Sequence, residues 1–119
     1  MATPMTTPSA SRPALLPVFA ALLLSSASLA FAVNEDAAMA LAKKSDCTKC
    51  HSVDKKKEGP AYKETAAKYK GKADAVDKLY THLTTTPKVK VDGKEEEHKA
   101  IKTKDEADIK NLIAYILSR

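Results

Sequence analysis

The stretch CTKCH, residues 47–51, contains both cysteines of this 119-residue chain and one of its three histidines. Two thiols three positions apart, followed at once by an imidazole, suit three kinds of chemistry: covalent haem attachment, zinc binding or a redox-active dithiol. Each of these makes a different demand on the rest of the chain. The surrounding sequence therefore decides between them.

The rest of the chain favours haem attachment over the two alternatives. A structural zinc site needs four ligands, yet His82 and His98 lie far along the chain and no second C-x-x-C occurs. A thioredoxin-like dithiol belongs to a βαβ scaffold, and the sequence has no such pattern. In the haem pattern, the Cys47 and Cys50 thiols add to the porphyrin vinyl groups and His51 binds the iron. The motif therefore predicts one covalently bound haem c.

The first 32 residues have the features of an export signal. Arg12 is their only charged residue, and the apolar run from Ala14 to Ala32 ends in a small-x-small cleavage pattern. The alternative is an uncleaved membrane anchor, for which the run is barely long enough and is interrupted by Pro17. We predict a cleaved signal peptide over residues 1–32 and a single domain over residues 33–119, located in the periplasm without stable membrane insertion.

The predicted mature domain has few large side chains from which to build a core. It contains no Phe or Trp and four tyrosines, because both phenylalanines lie in the signal segment. A domain of this size buries only a marginally sufficient core. A covalently held macrocycle would complete that core, although the same side chains can also pack against one another. The residues expected to cover the haem are Leu41, Leu79, Leu112, Tyr115 and Ile116.

Helical periodicity predicts an all-α domain of about four helices. Asn34 is the expected N-cap of a helix that runs into Cys47, and a short helix over residues 62–70 ends before Gly71. The last helix is expected to begin at a Thr103–Glu106 capping box and to run to the end of the chain. Residues 88–97 allow a small hairpin. A further helix fits residues 73–83, whose apolar face consists of Val76, Leu79, Tyr80 and Leu83.

These features together resemble the small bacterial class I cytochromes c, which carry one haem. The resemblance covers residues 33–119 and depends on the helix leading into CTKCH, on GPAYKETAAKY at residues 59–69 and on DEADIKNLIAYILSR at residues 105–119. It implies about four helices wrapped around a covalently bound haem. It also implies that the Pro60 carbonyl accepts a hydrogen bond from the free ring N–H of His51, whereas Gly59-Pro60 would otherwise be an ordinary loop turn.

The chain departs from this family at the second axial ligand of the iron. The family's methionine comes from the segment before the last helix, but this sequence has no methionine after Met39, in the helix that presents the cysteines. His98 stands where that methionine is expected, so the resemblance implies that His51 and His98 are the two metal ligands. The alternatives for the second ligand are His82 and an open or lysine-ligated site. His98 is otherwise a solvated histidine beside three glutamates.

Ligation by two histidines implies a lower reduction potential than ligation by histidine and methionine. We therefore expect a monomeric one-electron carrier, not an enzyme, whose partners are acidic or membrane-bound redox proteins. Lysines 55–57, 63, 68, 70 and 72 would form a basic ring that steers such partners, or would serve solubility alone. Nucleic-acid binding is not expected, because the lysines lack aromatic stacking partners.

Two further functions stay open at this point. If His98 leaves the iron readily, the domain would bind NO, CO or O₂ and act as a gas sensor or a haem enzyme. The domain would also suit the electron-accepting subunit of a larger periplasmic oxidoreductase.

Overall fold

The computed structural model describes residues 2–11, 13–14 and 32–119 of the chain. Most of the predicted export signal, including residues 15–31 of its apolar run, lies outside these residues. Residues 2–11 and 13–14 contain no helix or strand, and residues 32–119 belong to one compact unit. Within the described ranges, no helix combines the length and the apolar character needed to cross a membrane.

Residues 32–119 form five helices and one antiparallel hairpin. The expected helical fold is confirmed, with five helices where about four were predicted. Residues 47–50 form a separate helical turn rather than the end of the first helix, and residues 88–97 form the small hairpin that the sequence allowed. In chain order the elements are α1 (Glu35–Lys44), α2 (Cys47–Cys50), α3 (Tyr62–Tyr69), α4 (Ala75–Thr84), β1 (Lys88–Val91), β2 (Lys94–Glu97) and α5 (Glu106–Leu117).

Two asparagines join the first helix to the last. The Asn34 side chain accepts a hydrogen bond from the Ala37 backbone N–H at 3.0 Å and caps α1 as predicted. The Asn34 backbone N–H donates to the Asn111 side-chain oxygen at 2.9 Å, and the Asn111 amide donates to the Asn34 carbonyl at 2.8 Å. The start of α1 is therefore attached to the middle of α5, and α1 leads from there to the CTKCH turn.

The last helix begins differently from the prediction. Its N-cap is Asp105, whose side chain accepts a hydrogen bond from the Asp108 backbone N–H at 3.1 Å. The predicted Thr103–Glu106 capping box is wrong, because the Thr103 hydroxyl instead accepts from the Asp105 N–H at 3.2 Å. A carboxylate directly before Glu106 caps the helix and also suits the positive end of the helix dipole.

Helix α5 lies at the centre of the core, in contact with α1, α3 and α4. Its apolar residues recur at helical spacing, and Ile109, Leu112 and Ile113 are the largest side chains that are fully buried. The periodicity of residues 105–119 thus identified correctly which face of this helix is internal. The other helices pack around it.

The buried face of α4 differs from the prediction by one position. Ala75, Leu79 and Leu83 are buried, at the spacing i, i+4 and i+8. Val76 was predicted on the same face, but its side chain is 40% exposed, so that prediction is wrong. The small residue Ala75 takes the place nearest the core, and Val76 lies on the flank of the helix.

The hairpin positions the segment that contains His98. Asp92 and Gly93 form its two-residue turn with φ angles of 50° and 79°, which Asp tolerates and Gly adopts without strain. At the base of the hairpin, the His98 backbone N–H donates to the Pro87 carbonyl at 2.8 Å. This backbone hydrogen bond therefore fixes the position of His98 directly after β2.

We expect Ile113→Ala to lower the free energy of unfolding by about 2–5 kcal/mol, because this fully buried side chain would leave a cavity. Val76→Ala is the matched control and should change the free energy by less than about 0.5 kcal/mol. Urea denaturation followed by circular dichroism measures both values. Equal losses in the two variants would contradict this assignment of the core.

Candidate cofactor site

A cavity of about 660 Å³ is bordered by the CTKCH turn, α4, α5 and the hairpin. This volume falls within the usual range for cofactor sites. Its lining includes five cysteine and histidine side chains, the residue types that attach haem covalently or ligate its iron: Cys47, Cys50, His51, His82 and His98. The apolar wall consists of Leu79, Leu83, Val89, Val91, Leu112 and Ile116.

Both cysteines line this cavity as free thiols. Helix α2 places them one turn apart, and the His51 backbone N–H donates to the Cys47 carbonyl at 2.9 Å. Burial raises the pKa of the Cys47 thiol, and a hydrogen bond to Glu58 raises the pKa of the Cys50 thiol. At neutral pH the chain therefore presents two S–H groups to the cavity, the form that adds to a vinyl group in thioether formation.

The orientation of the His51 ring is set by the loop that follows the motif. Its Nδ1 lies 2.7 Å from the Pro60 carbonyl oxygen. Because a carbonyl can only accept a hydrogen bond, Nδ1 carries the proton and Nε2 is left with a free lone pair. This is the tautomer that a metal-ligating histidine needs, with the second nitrogen anchored by an outer contact.

Gly59 allows the loop to approach the His51 ring closely. A Cβ atom at residue 59 would lie 2.4 Å from Cε1, 2.8 Å from Nδ1 and 2.9 Å from Nε2 of that ring. The Gly59 backbone N–H also donates to the Cys50 carbonyl at 2.8 Å. Only glycine leaves room for the imidazole between this loop and the cavity.

Tyr62 lies behind His51 and separates it from Tyr115. The Tyr62 and His51 rings are stacked with centroids 5.9 Å apart, and the Tyr115 ring meets Tyr62 edge-on at 6.2 Å. Tyr115 was predicted to cover the haem, but it is not among the residues lining the cavity. Leu41 likewise does not line the cavity, and the expectation that these two residues cover the haem stays a prediction. The predicted residues Leu79, Leu112 and Ile116 do line it.

The rings of His98 and His51 face the same space. Their centroids are 6.2 Å apart, and the His82 ring lies 4.4 Å from that of His98. Burial lowers the pKa of His98, and the nearby imidazoles of His82 and His51 lower it further. Burial also lowers the pKa of His82. Both side chains are therefore neutral at neutral pH, and the neutral imidazole is the form that ligates a metal.

These residues fit a haem in three respects. Imidazole nitrogens are good iron ligands, and the rings of His51 and His98, with centroids 6.2 Å apart, would hold the iron between them. The two thiols and the leucine-rich wall supply the covalent and apolar contacts. Finally, Nδ1 of His98 is buried and has no hydrogen-bond partner among the described residues, so no contact within them accounts for its burial.

A family model described as cytochrome c matches residues 36–119. This chain belongs to the cytochrome c family. Proteins of this family bind a covalently attached haem c with its iron, in agreement with the CTKCH motif and the cavity around it.

Solved structures and curated proteins are similar to this cytochrome. The class 1 cytochrome MtoD of Sideroxydans lithotrophicus ES-1 is 55% identical, with a TM-score of 0.70 over 73% of this chain and 97% of that one. Cytochrome c552 of Nitrosomonas europaea is 34% identical, with a TM-score of 0.53 over 67% and 96%. Cytochrome c-551 of Allochromatium vinosum is 58% identical over 41 residues, 34% of this chain and 44% of that protein. That match spans less than half of the curated relative. The predicted class I cytochrome c fold is confirmed.

Asp46 links the haem-binding turn of this cytochrome to the segment that follows His98. Its carboxylate lies 2.8 Å from Lys102 Nζ, 3.3 Å from Lys49 Nζ and 4.0 Å from Lys99 Nζ. The hydrogen bonds from Lys102 and Lys49 lower the pKa of Asp46 to about 2. The carboxylate is therefore ionised at neutral pH and connects residues 99–102 to the start of the CTKCH motif.

Sequence reasoning did not assign two residues of this site. Gly59 was considered only as part of a turn, and Tyr62 only as part of a helix. Both lie in the segment GPAYKETAAKY on which the family resemblance depends, and this was the available signal. Their contacts with His51 become evident only when the loop folds back on the ring.

We expect Gly59→Ala to displace the His51 ring, since the added methyl would overlap it, and to alter the visible spectrum of the haem-loaded protein. The control is Gly71→Ala, where no atom lies within 4 Å of the new methyl. Its positive φ of 74° should cost about 1–2 kcal/mol of stability without a spectral change. An unaltered spectrum in Gly59→Ala would contradict the packing described here.

Asp46→Asn should destabilise the protein at neutral pH but not in strong acid. The folded-state pKa of Asp46 is depressed, so its stabilising contribution is complete above the unfolded pKa near 3.8 and is lost as the pH falls through about 2. Urea midpoints of wild type and variant should therefore differ at pH 7 and converge as the pH approaches 2. The control is Asp36→Asn, in the first turn of α1. If the two urea midpoints differed by the same amount at pH 7 and at pH 2, the charge of Asp46 would not be the cause of the stabilisation.

Proposed function

We propose that this protein is an exported, periplasmic one-electron carrier with a single haem c. In this proposal Cys47 and Cys50 form the two thioether bonds, and His51 and His98 are the axial ligands of the iron. The reduction potential is low compared with that of a haem ligated by histidine and methionine. The protein acts as a monomer and exchanges electrons with acidic or membrane-bound redox proteins.

The approach of His98 to His51 is the observation that carries this proposal. The centroids of the two rings lie 6.2 Å apart across a cavity that both cysteines line. No methionine follows Met39 in the sequence, and Met39 packs against the core from α1. His82 also lines the cavity, but among the described residues its ring pairs with that of His98, whereas the ring that approaches His51 is His98. His98 is therefore the better candidate for the second ligand.

The residues of the site suit electron transfer better than bond chemistry. When bound, the haem supplies one-electron exchange between ferric and ferrous iron. The Pro60 carbonyl holds the His51 ring in one tautomer, and the base of the hairpin holds His98. Leu79, Leu112 and Ile116 make that part of the cavity wall apolar. Two protein ligands held in place leave no iron position for a substrate.

Export to the periplasm is supported by the amino-terminal sequence. Residues 1–32 combine a long apolar run with a small-x-small end and a single charge, as signal peptides do. Cleavage after Ala32 would leave a domain over residues 33–119 that contains the complete site.

We expect His98→Met to raise the reduction potential by on the order of 0.1–0.2 V, a part of the roughly 0.8 V range that axial ligands span. His82→Met is the matched control, because it changes a second half-buried imidazole of the same cavity and should leave the potential nearly unchanged. Spectroelectrochemical titration of the haem-loaded proteins measures both potentials. If the potential changed strongly in His82→Met and not in His98→Met, His82 would be the second ligand instead.

Carbon monoxide tests whether the second axial position is occupied. The low-spin spectrum of the reduced wild-type protein should stay unchanged after CO is added, because His98 holds the iron. His98→Ala should bind CO and shift its Soret band. A Soret shift in the wild type would contradict the carrier proposal and favour gas binding or catalysis.

A further inference from the structure

Tyr69, at the end of α3, separates the haem cavity from a depression on the protein surface. Its half-buried ring lines both of them. Two lysine ammonium groups lie near this ring, Lys68 Nζ at 5.5 Å and Lys72 Nζ at 5.7 Å from its centroid. The aromatic side chain therefore borders both the cofactor site and the surface depression, and it is flanked by positive charge.

The ion pairs divide the lysines of the predicted basic ring into two groups. Lys63 pairs with Asp54, and Lys57 donates to the Thr48 carbonyl at 2.8 Å. In contrast, the other five lysines of the ring form neither an ion pair nor a side-chain hydrogen bond within the part of the chain that the structure describes. These are Lys55, Lys56, Lys68, Lys70 and Lys72.

The unpaired lysines occupy two places that differ in their relation to the cavity. Lys55 and Lys56 belong to the exposed loop that follows CTKCH, and neither lines the cavity. Lys68 and Lys72 lie beside the Tyr69 ring, Lys70 lines the same depression, and Lys68 lines the cavity itself. Among the ring lysines, the only unpaired positive charge at the wall of the cofactor site is therefore that of Lys68, beside Tyr69.

The depression beside Tyr69 has the composition of a docking site. Small and apolar side chains line it, including Ala67 and the 40% exposed Val76, together with Lys70 and Lys72. Apolar surface mixed with charged side chains suits a transient protein interface. We call Lys68, Tyr69, Lys70, Lys72 and Val76 the Tyr69 face.

We infer that the Tyr69 face is the docking surface for an acidic electron-transfer protein. Carboxylates of the partner pair with Lys70 and Lys72, and its own cofactor comes to rest opposite the Tyr69 ring, next to the haem cavity. One electron then passes from the reduced partner to ferric haem iron, and the partner is oxidised by one electron. This inference rests on the proposed carrier function and adds where the partner binds.

Reduction by a flavodoxin, a small acidic flavoprotein, tests this inference on the haem-loaded protein. The variant Lys70→Glu/Lys72→Glu should be reduced at least about tenfold more slowly than wild type at low ionic strength. The difference should shrink at 0.5 M salt, where charges are screened. Lys55→Glu/Lys56→Glu is the matched control, with the same charge change at unpaired lysines. Stopped-flow absorbance in the Soret region measures the rates, and an equal or larger loss in the control would overturn the inference.

Binding can be measured without electron transfer. Oxidised flavodoxin titrated into the ¹⁵N-labelled, haem-loaded protein should shift the amide resonances of residues 67–76 more than those of residues 54–58. Shifts confined to residues 54–58 would overturn the docking surface while leaving the carrier proposal intact. Conversely, wild-type protein that binds at residues 67–76 but is not reduced would contradict the carrier proposal and retain the docking surface.

Discussion

The contact between His51 and the loop at Gly59-Pro60 is the constraint on which the rest of the site depends. The Pro60 carbonyl at 2.7 Å selects the tautomer of the ring, and the missing side chain of Gly59 leaves space for it. Tyr62, two residues after Pro60, stacks behind the same imidazole. The motif supplies the histidine, but three residues of one short segment decide which way its free nitrogen points.

The other side of the cavity is organised by contacts that are distant in the sequence. The His98 backbone is bonded to Pro87 across the hairpin, and the Ile101 N–H donates to the Leu83 carbonyl at 2.8 Å. Asp46 then ties the following segment back to the start of the CTKCH turn. His98 is therefore held between α4 and the haem-binding turn, although its neighbours in the sequence are exposed glutamates. A charged stretch can present a half-buried imidazole to the cavity when its two ends are anchored.

The small core and the cofactor site share their side chains. Leu79, Leu112 and Ile116 belong both to the buried cluster and to the wall of the cavity. A domain with no phenylalanine or tryptophan after residue 32 has limited apolar surface of its own. The apolar body of a haem adds to that surface, so holding the cofactor and stabilising the fold depend on the same residues.

The sequence by itself determined the haem-binding motif, the mostly helical class and the internal face of α5, because these follow from local spacing and periodicity. It misjudged Val76 and the cap of α5, since the neighbouring residues Ala75 and Asp105 satisfy the same local rules. Only the tertiary structure decided that Gly59 touches the His51 ring, that His98 approaches His51, and which lysines keep their charge unpaired beside the cavity. These are contacts between segments brought together by chain folding, and local sequence patterns do not contain the distances between such segments.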